Sequence, residues 1–363
     1  MSELTQDAVN EAIKGYIEPH LEKDLVTAKA IKGVEIEAGQ VKVTIELGFP
    51  AKGCFGDIEE ALSDKIKALA GVESVKFAIT SKIVAHSVQK ALKPIDNIKN
   101  IIAVASGKGG VGKSTTAVNL ALALAEEGAK VGILDADIYG PSQPRMLGIT
   151  GKPDSKDGKT LEPMVGYGLQ AMSIGFLIDE ETPMIWRGPM VTQALEQLLN
   201  DTNWADLDYL VVDLPPGTGD TQLTLAQKVP VSGAVIVTTP QDIALLDARK
   251  GLKMFEKVEV PVLGVVENMS THICSKCGHE EHIFGQGGGS SMANQYHVDL
   301  LGSLPLDIRI REETDGGKPT VVAEPEARIS QVYRQIARKT AAKLSLQAKD
   351  YAAKFPNIVI QNN

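Results

Sequence analysis

Cysteine is scarce, with three residues in 363, an odd number behind an opening, Met1-Ser2-Glu3-Leu4-Thr5-Gln6-Asp7, that has neither a basic nor an apolar leader segment. That pattern excludes a disulfide framework and makes the thiols free, metal-binding or catalytic groups of a reducing compartment. No apolar run approaches the roughly 20 residues that span a bilayer, so the expected location is the cytoplasm, with no membrane partner. Positive charge is also in deficit: 37 Lys and Arg face 46 Asp and Glu, a formal net charge of −9. Such an acidic balance argues against a general nucleic-acid binder or a polybasic membrane patch. Aromatic residues make up only 4%, while glycine is plentiful at 34 residues. Apolar residues at 43% and charged residues at 23% are ordinary for a globular chain and exclude global disorder, collagen and coiled coil.

The length exceeds the roughly 100–200 residues of one domain, which predicts two. Residues 1–85 read as a small α+β unit. Val9 to Ile17 has helical spacing, Val34-Glu35-Ile36 and Val41 to Leu47 alternate around Gly39 as a hairpin does, and Ile58, Leu62, Ile66 and Leu69 recur at helical intervals before a strand over Val72 to Ile79. A polar, proline-containing stretch, 86–99, reads as a linker. Over 100–345 the pattern changes: Ile101–Ala105, Val131–Leu134, Tyr209–Val212, Ala234–Val237 and Val262–Val266 are near-continuous apolar runs separated by helical segments. Strands covered on both faces require such runs, so the expected fold class is α/β, a doubly wound, mostly parallel sheet. Ile329, Val332, Tyr333, Ile336 and Leu344 mark an amphipathic helix, and 346–363 reads as a C-terminal tail.

Gly107-Lys108-Gly109-Gly110-Val111-Gly112-Lys113-Ser114 follows the first of these strands and precedes a helix-compatible run from Thr115 to Glu127. It fits G-x-x-x-x-G-K-[ST] in strand–loop–helix context, the P-loop of ATP-binding domains. Glycines let successive backbone N–H groups turn toward an anion and the helix N-terminus adds positive potential. Lys113 can reach the β and γ phosphates, and Ser114 can ligate Mg2+. Asp135 and Asp137 end the next strand, and Asp213 ends a third, ahead of Leu214-Pro215-Pro216-Gly217-Thr218-Gly219-Asp220. One aspartate at a strand end reads equally well as a helix N-cap. Three of them in register with a P-loop favour holding Mg2+ and water, with Gly217 in a turn that senses the γ-phosphate. Asp137 is the expected water-orienting group, and Asp135 the second candidate.

With Lys108 inside the loop, Lys-Gly-Gly-Val-Gly-Lys-Ser resembles the deviant phosphate loop of the ATPases that include MinD, the partition ATPases and the nitrogenase iron protein. The resemblance implies a homodimer with two sandwiched nucleotides, Lys108 contacting the phosphates of the opposite protomer.

Further on, Thr271-His272-Ile273-Cys274-Ser275-Lys276-Cys277-Gly278-His279 continues to His282 and a glycine-rich stretch through Gly289. Two thiols three positions apart can bind one metal, but a zinc ion or a [4Fe–4S] cluster takes four ligands. One chain therefore supplies half a site, and if a two-fold axis passes nearby an isologous dimer permits a second pair of thiolates to complete it. Two alternatives stand beside it: zinc with His279 or His282, and a dithiol redox pair.

Trp204 through Asp213 to Asp220, then Gln222-Leu223-Thr224, Glu267-Asn268-Met269-Ser270, the CxxC, Phe284-Gly285 and Leu301 to Leu306 together resemble the Mrp/ApbC iron–sulfur cluster carriers. Gly140-Pro141-Ser142 and Trp186-Arg187-Gly188-Pro189-Met190 match as well. The resemblance covers about residues 100 to 340. It implies an ATPase dimer that binds a labile [4Fe–4S] cluster between protomers, receives it from scaffold proteins and delivers it to apo iron–sulfur proteins, with Asn268 as an adenine contact. Residues 1–85 are similar to the small iron–sulfur assembly domain fused to such ATPases. Cys54 falls where that domain has a cysteine ahead of a helix, a position that lowers a thiol pKa, although Glu18-Pro19-His20-Leu21 replaces a more acidic motif; otherwise Cys54 is a small half-buried hydrophobe. A spatial-switch ATPase without a cluster is the alternative function, and a low-potential electron donor is a third.

Overall fold

The computed structural model describes residues 4–89, 92–178, 188–274 and 276–349. Trp186 and Arg187 of the sequence motif, and residues 350–363 of the expected tail, lie outside the described residues.

In the small unit α1 (Gln6–Lys14) begins at Thr5, whose hydroxyl accepts the Ala8 N–H, and buries Val9 and Ile13. Strands β1 (Ile31–Glu37) and β2 (Gln40–Leu47) pair antiparallel. Ala38 and Gly39 between them have φ of 47° and 79°, the left-handed pair that a two-residue hairpin with natural twist demands. Helix α2 (Phe55–Lys67) buries Ile58, Leu62 and Ile66 and leads to β3 (Ser74–Ser81), which pairs parallel with β2. That parallel return needs the helical crossover which the sequence supplies.

The large unit is built on β4 (Ile98–Ala105), followed by α3 (Lys113–Glu126) and β5 (Val131–Asp135). Then come β6 (Met164–Gly166), β7 (Leu169–Ser173), α4 (Gly188–Asn200), β8 (Leu207–Asp213), α5 (Asp220–Lys228) and β9 (Gly233–Thr238). They are followed by α6 (Asp242–Lys257), β10 (Val262–Glu267), α7 (Gly288–Tyr296), β11 (Leu300–Ser303), α8 (Ile308–Asp315) and α9 (Arg328–Ser345). The eight strands lie in the order β11-β10-β9-β4-β8-β5-β7-β6. All pair parallel except the edge strand β6, which runs antiparallel to β7. This is the doubly wound α/β sheet that the apolar runs predict. Its centre is buried on both faces: every residue of β5, β8 and β9 is inaccessible. Strands β6, β7 and β11 were not anticipated, being short and lacking a continuous apolar run. In β11, Gly302 replaces a side chain because a Cβ there would lie 2.7 Å from Ile336 Cγ1 of α9.

The two units meet at the far end of α3. Glu127, 2% exposed, accepts the Gly53 N–H at 2.8 Å and pairs with Arg338 Nη2 of α9 at 2.5 Å, while its carbonyl accepts the Lys52 N–H. Residues expected to be a linker are engaged as well: the His86 backbone N–H donates to Asn100 Oδ1, and the Ser87 N–H donates to the Ala348 carbonyl. Removing one member of a buried ion pair strands the other charge. Glu127→Ala is therefore expected to cost roughly 3–5 kcal/mol, read as a lower urea midpoint; an unchanged midpoint would contradict this role for the clamp.

Candidate functional site

The parallel register brings three strand ends together, Asp213 aligning with Val104 of β4 on one side and with Asp135 of β5 on the other. The phosphate loop crosses this edge. Gly110 and Gly112 have φ of 79° and 82°, so side chains there would be strained. Gly107 is required for another reason: a Cβ would sit 2.2 Å from the Asp247 backbone of α6. The amides of the first turn of α3, lacking intrahelical acceptors, face the loop opening.

Lys113 opens α3 and is 6% exposed. Its ammonium is paired with Asp213, lies 3.2 Å from Ser114 Oγ and stands 3.9 Å from Asp137. Gln143, which no sequence motif singled out, holds the other side of Asp213 through Nε2 at 2.9 Å and reaches the Ser114 carbonyl at 3.2 Å. Its only sequence cue is its place directly after Gly140-Pro141-Ser142. Asp135 is fully buried and accepts the N–H groups of Asp137, Ser142 and Gln143 and the Ser173 hydroxyl. Burial, reinforced by the charge of Asp213, pushes its carboxyl up to about 7. Asp137 is raised too, by burial opposed by Lys113. Of the two, Asp137 alone keeps solvent access, at 15% of its side chain. Asp135 instead organises the loop that carries Asp137 and Gln143.

Lys108 is half-buried, its carbonyl accepting the Ser106 hydroxyl at 2.9 Å. Gly217, at φ 107°, donates its N–H to the Ser106 carbonyl, which seats the turn after β8 against the phosphate loop. Beside Thr115 lies a cavity of about 380 Å³ bounded by Gly112, Asn268, Leu306, Ile310 and Arg311. Asn268 Nδ2 donates to the Val111 carbonyl at 2.9 Å, so this side chain joins the loop to the end of β10. The cavity wall from α8 carries no sequence motif and was not foreseen.

Cys274 and Cys277 sit at the tip of a two-strand hairpin, His272–Ile273 against Glu280–Glu281. The Gly278 N–H donates to the Cys274 carbonyl and the Cys274 N–H to the His279 carbonyl, closing a tight knuckle with Gly278 at φ 72°. Cys274 is half-buried and Cys277 exposed. Amides of Lys276 and Cys277, directed at the Cys274 sulfur, hold its thiol below the ordinary value of 9.0. Among the described residues no third His, Cys, Asp or Glu ligand gathers around this pair. His279 approaches Glu281 at 3.7 Å, and His282 donates from Nδ1 to the Ser270 carbonyl. Glu267, part of the sequence motif but given no role by it, anchors the glycine-rich stretch after the hairpin by accepting the Gly289 N–H at 2.6 Å.

Cys54 requires a correction. It does stand at the start of α2, yet its thiol is raised to about 12 rather than lowered, because burial to 4% exposure outweighs the helix terminus.

Comparison with known proteins is consistent with this layout. A family model described as the NUBPL iron-transfer P-loop NTPase matches residues 97–341. The chain belongs to that family. A second model, an iron-sulfur cluster assembly protein, matches residues 6–77. The chain is 51% identical over 358 residues to an iron-sulfur cluster carrier protein of Escherichia coli K12, covering 96% of this chain and 97% of that one. It is 46% identical over 314 residues to the mouse iron-sulfur cluster transfer protein NUBPL, covering 86% and 95%. Among solved structures, a nucleotide-binding protein from Archaeoglobus fulgidus in complex with ADP superposes with a TM-score of 0.57 at 40% identity, over 64% of this chain and 90% of that one. The Pyrococcus furiosus cell division ATPase MinD, at 23% identity and a TM-score of 0.50 over 66% and 97%, shares the fold. No helix among the described residues is long and apolar enough to cross a membrane.

The two thiol environments make a direct prediction. In the native protein iodoacetamide is expected to alkylate Cys274 at a pH below that of an ordinary thiol, and to leave Cys54 untouched until the chain unfolds, as read by peptide mass mapping across pH 6–9. Alkylation of Cys54 at a rate comparable to Cys274 would contradict the assignment.

Proposed function

We propose that this carrier is a Mg2+-dependent ATPase that holds a labile [4Fe–4S] cluster across a homodimer interface and passes it to apo iron–sulfur proteins. The observation that carries the proposal is the incomplete knuckle: two thiols, one of them acidified by backbone amides, with no third ligand among the described residues. A second copy of the hairpin supplies the missing pair. The cluster is cargo, so an accessible and exchangeable site suits it better than a closed one.

The nucleotide site fits ATP on its own residues: left-handed glycines, a buried ammonium at a helix N-terminus, and an adjoining cavity of about 380 Å³. Ser114 and, through water, Asp213 would hold Mg2+, which would offset phosphate charge. Lys113 binds the β and γ phosphates by exchanging its Asp213 partner for them. Asp137, near this ammonium and open to solvent, orients the attacking water. Asp135 fixes the backbone of Asp137. Gly217 follows the γ-phosphate through its N–H, and Asn268 lies where the base is received. Lys108 reaches the phosphates of the opposite protomer, as the deviant loop implies, and so links nucleotide occupancy to dimer closure. Closed and open dimers then present the four hairpin thiols differently, which makes cluster affinity depend on nucleotide. Scaffold proteins load the cluster and apoproteins receive it.

Lys113→Ala is expected to abolish ATP hydrolysis, since it removes the buried ammonium of the phosphate loop; normal turnover would overturn the assignment of this loop. Anaerobic reconstitution with iron and sulfide is expected to give a visible cluster absorption band and about four cluster irons per dimer, with the band lost in both Cys274→Ala and Cys277→Ala. An undiminished band in those variants would contradict the bridging site, and a wild type that takes up no cysteine-dependent iron would leave zinc or the spatial-switch reading in its place.

A further inference from the structure

Three potential ligands meet in the small unit, apart from both the phosphate loop and the hairpin cysteines. One ligand atom each from Glu18, His20 and Cys54 lie within 4.8 Å of one another. The carboxylate is 1% exposed and rigidly held: Oε2 accepts the backbone N–H groups of His20 and Leu21 at 2.8 and 2.6 Å, and Oε1 contacts His20 Nδ1 at 2.7 Å. The Cys54 thiol donates to the Ala51 carbonyl at 3.3 Å. The imidazole is tilted by 53° to the Phe49 ring, centroids 6.2 Å apart, and keeps 12% of its side chain open, so it is the side of the cluster that solvent reaches.

We propose that Glu18, His20 and Cys54 form a mononuclear site for a divalent cation of the Zn2+ or Fe2+ kind. One oxygen, one nitrogen and one sulfur suit a borderline-soft ion, and three protein ligands leave a fourth position for water or an exchanging ligand. Bonds of about 2.0–2.3 Å set ligand atoms roughly 3.4–3.6 Å apart in a tetrahedral set, so side-chain adjustments of about an ångström bring the three donors, now within 4.8 Å, onto one ion, with the Glu18–His20 hydrogen bond giving way to it. Charge balance favours occupancy, because a dication with one carboxylate, one thiolate and a neutral imidazole is neutral overall and tolerates burial. Binding forms a metal–sulfur bond and expels one proton, that of the Cys54 thiol, to solvent. Arg338, whose charge reaches Cys54, is paired with Glu127, and the carboxylates of Glu18, Glu127 and Asp57 set negative charge against it at the thiol. Neighbouring Gly53 is the residue that Glu127 clamps, which places the site against the far end of the nucleotide helix.

The test is independent of the hairpin site. The full chain carrying both Cys274→Ser and Cys277→Ser, stripped of metal and reduced, is titrated anaerobically with Co2+. A thiolate-to-cobalt charge-transfer band is expected, saturating at about one Co2+ per chain and displaced by Zn2+. Adding Cys54→Ser is expected to abolish the band. His20→Gln, a partly exposed position that keeps the test open should Cys54→Ser fail to fold, is expected to weaken Co2+ binding at least about tenfold. Absence of the band, its survival without Cys54, or undiminished affinity in His20→Gln would overturn the site.

Discussion

A lysine ammonium buried at the mouth of a helix is a costly arrangement, and much of the large unit can be understood as what makes it tolerable. Lys113 sits at the positive end of α3 with almost no access to water, so it must be paired. Asp213 provides the charge, but only because β8 ends level with β4 and β5 in a parallel sheet. Gln143 then occupies the remaining Asp213 oxygen, and Asp135 holds the loop that carries Gln143. In the proposed ATPase an incoming phosphate takes over the ammonium and leaves Asp213 to its Gln143 bond.

The same helix and loop touch the other working parts. At its far end, about 20 Å away for fourteen residues at 1.5 Å each, α3 gives way to Glu127 and the clamp on Gly53 and Arg338. On the loop side Asn268 ties Val111 to the end of β10, and a few residues later the chain enters the cysteine hairpin. Ser270, between the two, is fixed to Leu304 through both its N–H and its hydroxyl. Asn268 and Ser270 thus make a short, well-tethered segment between the loop and the hairpin. The hairpin pairs over two rungs, and the knuckle bonds at Cys274 close its tip, where both thiols sit.

Legible in the sequence were the parts whose chemistry requires a fixed local pattern. The apolar runs located β4, β5, β8, β9 and β10, and the glycine–lysine spacing located the loop, because local backbone demands select those residues. Features created by long-range contact were not legible. Gln143 is an ordinary polar residue until the sheet brings Asp213 to it, and Glu127 acts only where Gly53 and Arg338 converge from distant parts of the chain. Cys54 divides the same way: its position at a helix start, which favours a lowered thiol pKa, is local, whereas the burial that raises its thiol to about 12 comes from tertiary packing and agrees with the reading as a small hydrophobe. The short strands β6, β7 and β11 escaped because their burial is set by neighbouring strands and helices rather than by their own periodicity.

If nucleotide at Lys113 changes how the hairpin thiols hold their cargo, the rate at which anaerobically reconstituted protein yields iron to an excess chelator, followed by absorbance, depends on Mg-ATP. Rates with and without Mg-ATP are expected to differ several-fold in the wild type and to coincide in Lys113→Ala. Equal rates in the wild type, with ATP bound, would rule this coupling out.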